Sequence, residues 1–117
     1  MASLKMGGPF KFTRGECNAR IEKISPGNYA LGKIHPTKKN FIVQYVGRAD
    51  IDLNDRIKEH LAEGYSHFKY SYANTPKEAF AKECTNYHDF GEDKKLHNKA
   101  HPSKPVEDNC KCPVCNC

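Results

Sequence analysis

Along this chain the spacing of apolar residues switches between the two-residue period of a strand and the three-to-four-residue period of a helix. Cys17, Ile21 and Ile24 fall at helical intervals before Pro26-Gly27, which predicts a short helix ending there. Residues 28–34 read as a strand, 35–40 as a polar turn and 41–46 as a second strand, giving an antiparallel hairpin. Phe41, Val43 and Tyr45 lie on one face of the second strand and Ile42 and Val46 on the other. This pattern predicts a central strand covered on both sides, and Gly47 is expected to end it. Leu53, Ile57 and Leu61 then recur every four residues, predicting an amphipathic helix over 52–63. Asp50 or Asp52 would cap it and Gly64 would stop it.

Residues 67–72 alternate, with Phe68, Tyr70 and Tyr72 on one face, as in a half-buried strand. Thr75-Pro76-Lys77-Glu78 combines an N-cap, a proline at the first helical position and a capping-box glutamate. The helix it starts is predicted to reach Tyr87 or His88, with Ala79, Phe80, Cys84 and Tyr87 as its apolar stripe.

These elements imply an α/β fold: a short central antiparallel three-stranded sheet flanked by helices. Residues 1–20 read as an N-terminal arm whose Phe10 and Phe12 dock on the rest. Residues 21–103 read as the domain and 104–117 as a cysteine-rich tail. A chain of 117 residues, 28% charged and 38% hydrophobic, suits one domain with a modest core. No stretch has the apolar length of a membrane span or the core of a signal peptide. The expected compartment is therefore the cytoplasm, or the nucleus for a eukaryotic or viral protein. The net charge of +5 is compatible with a polyanionic partner without requiring one.

Three polar residues break the pattern. Arg56 and His60 are four apart and border the Leu53–Ile57 stripe, so two basic groups flank an apolar seam and could hold an anion. Periodicity alone favours a plainer reading, an amphipathic helix with two snorkelling side chains. Glu83 falls within the stripe of the later helix. A carboxylate there is costly unless a cation or strong donors meet it, or unless it sits at the stripe edge and reaches water.

The order Gly27-Asn28-Tyr29, then Tyr45-Val46-Gly47-Arg48, then Leu53-Asn54-Asp55-Arg56-Ile57-Lys58-Glu59-His60, with Glu83 and Asn98 following, resembles the GIY-YIG nuclease domain. The likeness spans about residues 27–102. It implies a metal-dependent endonuclease acting on DNA, RNA being an open alternative, with Mg²⁺ or Mn²⁺ as cofactor. Carried over by position, Tyr29 and Tyr45 are the paired tyrosines, one of which orients or deprotonates the attacking water. Arg56 holds the scissile phosphate, and His60 transfers a proton or contacts phosphate. Glu83 binds the metal and Asn98 supports the site from the far side. Three positions depart from the pattern: Asn28 replaces an apolar residue, Val46 replaces Ile, and Ala49 stands where a small hydroxyl residue is common.

The chemistry is consistent with these roles. Phosphodiester hydrolysis needs an activated water, a charge clamp on the non-bridging oxygens and a stabilised leaving oxygen. An arginine fork bonds two phosphate oxygens and stays charged. A tyrosine serves as base only if neighbouring cations, here Arg56, His60, Arg48 or Lys33, lower its pKa. Lys33, Lys38, Lys39, Arg48 and Lys58 offer a path for a nucleic-acid backbone, and Phe10, Tyr70 and Tyr72 would complete a groove. No recognition helix accompanies them, so the expected choice of target rests on DNA structure rather than on sequence.

Cys110, Cys112, Cys115 and Cys117 read C-x-C-P-x-C-x-C. The Cys112–Cys115 spacing is that of a zinc knuckle, but four ligands within eight residues would crowd one tetrahedral zinc. A second chain, Cys17 or Cys84 could complete the site. Metal ligation is favoured over disulfides in a reducing compartment. Two further functions follow: a weakly catalytic nucleic-acid-binding module of the same fold, and a metal-binding interaction or self-associating protein acting through the tail.

Overall fold

Local capping sets most helix starts. The Thr13 side chain accepts from the Glu16 amide at α1 (Arg14–Arg20), and Asp52, not Asp50, accepts from Asp55 at α2 (Leu53–Lys58). Thr75 accepts from Glu78 at α3 (Pro76–Asp89), with Pro76 in the first turn as expected. A four-residue α4 (Glu92–Lys95) follows. The computed structural model describes residues 6–98, so the tail and its zinc candidates Cys110, Cys112, Cys115 and Cys117 lie outside the described residues.

The sheet has four strands, all antiparallel, in the order β1-β4-β2-β3, rather than the expected three. Strands β2 (Gly27–Ile34), β3 (Phe41–Ala49) and β4 (His67–Tyr72) fall where the sequence predicts strands. The extra strand, β1 (Gly7–Lys11), comes from the segment read as an arm. It holds Pro9 and two glycines and lacks alternation, so its pairing with β4 leaves no signature in the residue pattern. The boundary drawn at residue 20 therefore does not separate an arm: β1 and α1 pack on the sheet, and Phe12 and Cys17 enter the core.

Strand β3 is an edge strand, not a central one. Both its faces are apolar because helices cover both. Tyr29, Leu31, Ala49 and Phe68 pack with Cys17, Ile21, Leu53 and Ile57 of the α1–α2 layer. Ala30 and Val46 point the opposite way and pack with Tyr87 and Leu96. Gly47 does not end β3, which continues to Ala49 with Gly47 opposite Tyr29.

The helix expected over 52–63 is shorter. It stops at Lys58, and a 3₁₀ turn (Leu61–Glu63) follows, with His60 at its start (φ −95°, ψ 0°) and Gly64 closing it at φ 90°. Ile24, expected on the stripe of the first helix, lies beyond α1 and is 82% exposed. Among the described residues no helix is long and apolar enough to cross a membrane.

Candidate active site

Tyr29 projects from β2 onto the α2 side of the sheet, opposite Gly47. A Cβ on residue 47 would collide with the Tyr29 ring and hydroxyl, so the phenol occupies the space that a side chain there would take. Gly47 is thus required by close approach and not by a turn. Tyr45, two residues earlier on the same face of β3, stacks beside Tyr29 with centroids 6.4 Å apart and planes at 16°. His60 closes the cluster from the start of the 3₁₀ turn, its ring 5.5 Å from Tyr29 and 4.8 Å from Tyr45. His60 Nε2 is 2.9 Å from the Tyr29 hydroxyl, and Nδ1 is 2.8 Å from Glu63 Oε2.

Arg56 stands at the rim of this cluster, exposed, with Nη1 3.2 Å from Glu59 Oε1. Its charge reaches the Tyr29 and Tyr45 hydroxyls and favours their ionised forms, but burial outweighs it. Burial, then Tyr45 and Glu83, push the Tyr29 phenol well above the ordinary tyrosine value, and burial and Glu83 raise Tyr45 as well. Both shifts run opposite to the lowering that a free tyrosinate base needs.

Glu83 lies on the α3 side of the sheet, in the layer facing Val46. It is buried, and its cation is Arg48: Nη1 donates to Glu83 Oε1 at 2.7 Å, while Nε donates to Asp50 Oδ1 at 2.8 Å. The Arg48 guanidinium also stands 5.3 Å over the Phe80 ring. Burial raises the Glu83 pKa, and Arg48 opposes the rise without cancelling it. Arg48, read as a contact for a nucleic-acid backbone, is committed to these two carboxylates. Although Glu83 sits across the sheet from the tyrosines, its charge is felt at both hydroxyls, and that of Arg56 is felt at Glu83.

Asn98 spends both ends of its amide on one backbone unit. Its Oδ1 accepts from the Val46 N–H at 3.0 Å and its Nδ2 donates to the Val46 carbonyl at 2.8 Å. With the His97 amide donating to the Gln44 carbonyl, Asn98 covers the open edge of β3 beside Tyr45. Asn28, buried where the resemblance expects an apolar residue, donates to the Ala79 carbonyl at 2.8 Å and ties β2 to α3. Lys33, Lys38 and Lys39 are exposed at the hairpin end. That end lies about 13 Å along the strand from Tyr29 at 3.3 Å per residue. Lys58 donates to Asn18 across the α1–α2 contact. Phe10, Tyr70 and Tyr72, read as completing a groove, are engaged with α1 and its exit: Phe10 packs beside Tyr70, Tyr70 donates to the Arg20 carbonyl and Tyr72 accepts from the Glu22 amide.

Three residues of this neighbourhood carried no signal that the periodicity could weigh. Asp50 and Glu63 stand two and three positions from their basic partners, a spacing that permits pairing without requiring it. Tyr65 follows a glycine break, yet its ring lies 6.4 Å from Tyr45 and its hydroxyl 2.8 Å from His97 Nδ1. Burial pushes its pKa up to about 12.

Among the described residues no group of three or more His, Cys, Asp or Glu side chains could hold a metal ion. Mg²⁺ can be held by a single carboxylate completed by water and substrate phosphate oxygens; the one buried carboxylate among the described residues, Glu83, already accepts from Arg48 through Oε1. Comparison of the chain with known protein families, with curated proteins and with solved structures finds no match.

Proposed function

We propose that this protein is a GIY-YIG-type endonuclease that hydrolyses phosphodiester bonds in DNA, selecting its target by structure rather than by sequence. The observation that carries this reading is the contact of Tyr29, Tyr45 and His60 beside the exposed guanidinium of Arg56. Elements far apart in the chain deliver a proton-transfer pair and a cation to one place. That combination suits an in-line attack on phosphate. Glu83 would hold Mg²⁺ or Mn²⁺, which polarises a phosphoryl oxygen when bound.

The chain's own residues divide the remaining work. With its phenol kept neutral by burial, Tyr29 relays rather than stores a proton. As the attacking water loses its proton to the Tyr29 oxygen, the Tyr29 proton passes to His60 Nε2. The new P–O bond forms while the bond to the leaving oxygen breaks, and that oxygen departs as an alkoxide that takes its proton from solvent. Arg56 bonds the non-bridging oxygens as their charge grows, and the Tyr45 ring walls the cluster from solvent.

A second reading, a module that binds nucleic acid and cuts it poorly, is favoured by one observation: Arg48 already neutralises Glu83. Both readings are tested by incubating duplex, single-stranded and branched DNA, with RNA in parallel, with Mg²⁺ or Mn²⁺ at low salt. Cleavage should require the metal and fall about 10²–10³-fold in Arg56→Ala. It should fall similarly in Glu83→Gln, which keeps an acceptor for Arg48. Wild type that binds these substrates without cutting any of them would leave the binding-module reading standing.

A further inference from the structure

We propose that Glu63 is a positioning residue for His60, holding its imidazole in the Nδ1–H tautomer so that Nε2 receives the Tyr29 proton. The assignment deepens the nuclease reading and rests on it for its catalytic consequence. Donors and acceptors set the tautomer. An ionised carboxylate only accepts, so a 2.8 Å contact with Glu63 Oε2 requires His60 Nδ1 to carry hydrogen. In the neutral ring Nε2 is then the acceptor, and the Tyr29 hydroxyl, 2.9 Å away, is the donor. Reversing the tautomer would set a lone pair against the carboxylate and turn Nε2 into a donor.

Backbone geometry supports the pairing. His60 opens the 3₁₀ turn, the Glu63 amide donates to the His60 carbonyl at 3.0 Å, and left-handed Gly64 ends the turn directly afterwards. The two side chains are thereby held three residues apart. The His60 side chain is 12% exposed and that of Glu63 47%, so the carboxylate sits on the solvent side of the ring. When the Tyr29 proton arrives at Nε2, the imidazolium forms beside a negative charge already in place.

The test is long-range ¹H–¹⁵N NMR of the full chain, with the His60 signals assigned by their loss in His60→Gln. Wild type should show the Nδ1–H tautomer. Glu63→Leu should shift His60 toward a tautomer mixture, and Glu63→Gln, whose amide oxygen can still accept, should retain part of the preference. In single-turnover cleavage, Glu63→Leu should lower the rate about 10–100-fold with substrate binding unchanged. The same substitution in a His60→Gln background should cost nothing more. A His60 tautomer unmoved in Glu63→Leu overturns the assignment, whatever the rate does. If wild type cuts no substrate, the nuclease reading falls, and the tautomer shift alone decides the role of Glu63.

Discussion

At the scale of single residues, Arg48 faces a buried carboxylate. Glu83 is a buried carboxylate whose pKa is raised by burial and pulled back by Arg48. A folded value above the ordinary 4.5 means that the folded state holds the proton more tightly. The stabilisation from Glu83 is therefore complete below that value and is lost as pH rises through the raised one. Arg48→Met removes the opposing cation and enlarges this loss. It should cost about 3–5 kcal/mol at pH 7.5, with a smaller deficit toward pH 4.5. Adding Glu83→Gln should restore part of it. Urea midpoints at the two pH values measure this, and a deficit independent of pH would mean that the pair matters only through packing.

At the scale of elements, two contacts hold the candidate site to β3. The first is the glycine beneath the Tyr29 ring. Gly47→Ala forces a methyl group against that ring and should cost about 1–3 kcal/mol by overpacking. Combining it with Tyr29→Ala should recover most of the steric part, giving a coupling readable in a double-mutant cycle. The second contact is the Asn98 clamp. Asn98→Ala leaves the buried Val46 amide without its side-chain acceptor and should cost about 1–3 kcal/mol. Hydrogen exchange at Val46 should speed up, while exchange at the β2–β4 pairs stays slow. Uniform acceleration across the sheet would instead mean that the clamp belongs to the global fold.

At the scale of the whole molecule, the net charge is +5, and the salt dependence of the proposed nucleic-acid binding would be set by how many phosphates its cations neutralise. Arg48 is consumed internally and Lys58 is tied to Asn18, which leaves Lys33, Lys38 and Lys39 at the hairpin end as exposed candidates. If DNA runs from Arg56 along this edge, replacing those three lysines with glutamine should flatten the slope of log K against log salt. On duplex DNA the slope should change by about 0.9 for each phosphate that is no longer neutralised. An unchanged slope would route the backbone elsewhere. Distances between elements also explain what the sequence left unread. Glu83 and Arg48 are 35 positions apart and Tyr29 and His60 are 31 apart, so neither pairing leaves a local period.

Local physics was legible from residue order alone. The strands read at 28–34, 41–46 and 67–72 and the helix α3, with its capping box and stripe, were legible because neighbours along the chain supply those signals, although β3 runs on past Gly47 to Ala49. The family resemblance, too, rests on residues read in order. Tertiary structure alone decided that β1 joins the sheet, since a glycine-containing edge is recruited by backbone hydrogen bonds that depend little on side-chain type, and Pro9, which has no N–H to donate, falls in the irregular register between Gly7 and Phe10. It decided that β3 lies at the edge, because helices on both faces give an edge strand the apolar pattern of a central one. It also decided which acid meets which base. A carboxylate in an apolar stripe signals that a cation is needed, and only the packed sheet identifies that cation as Arg48.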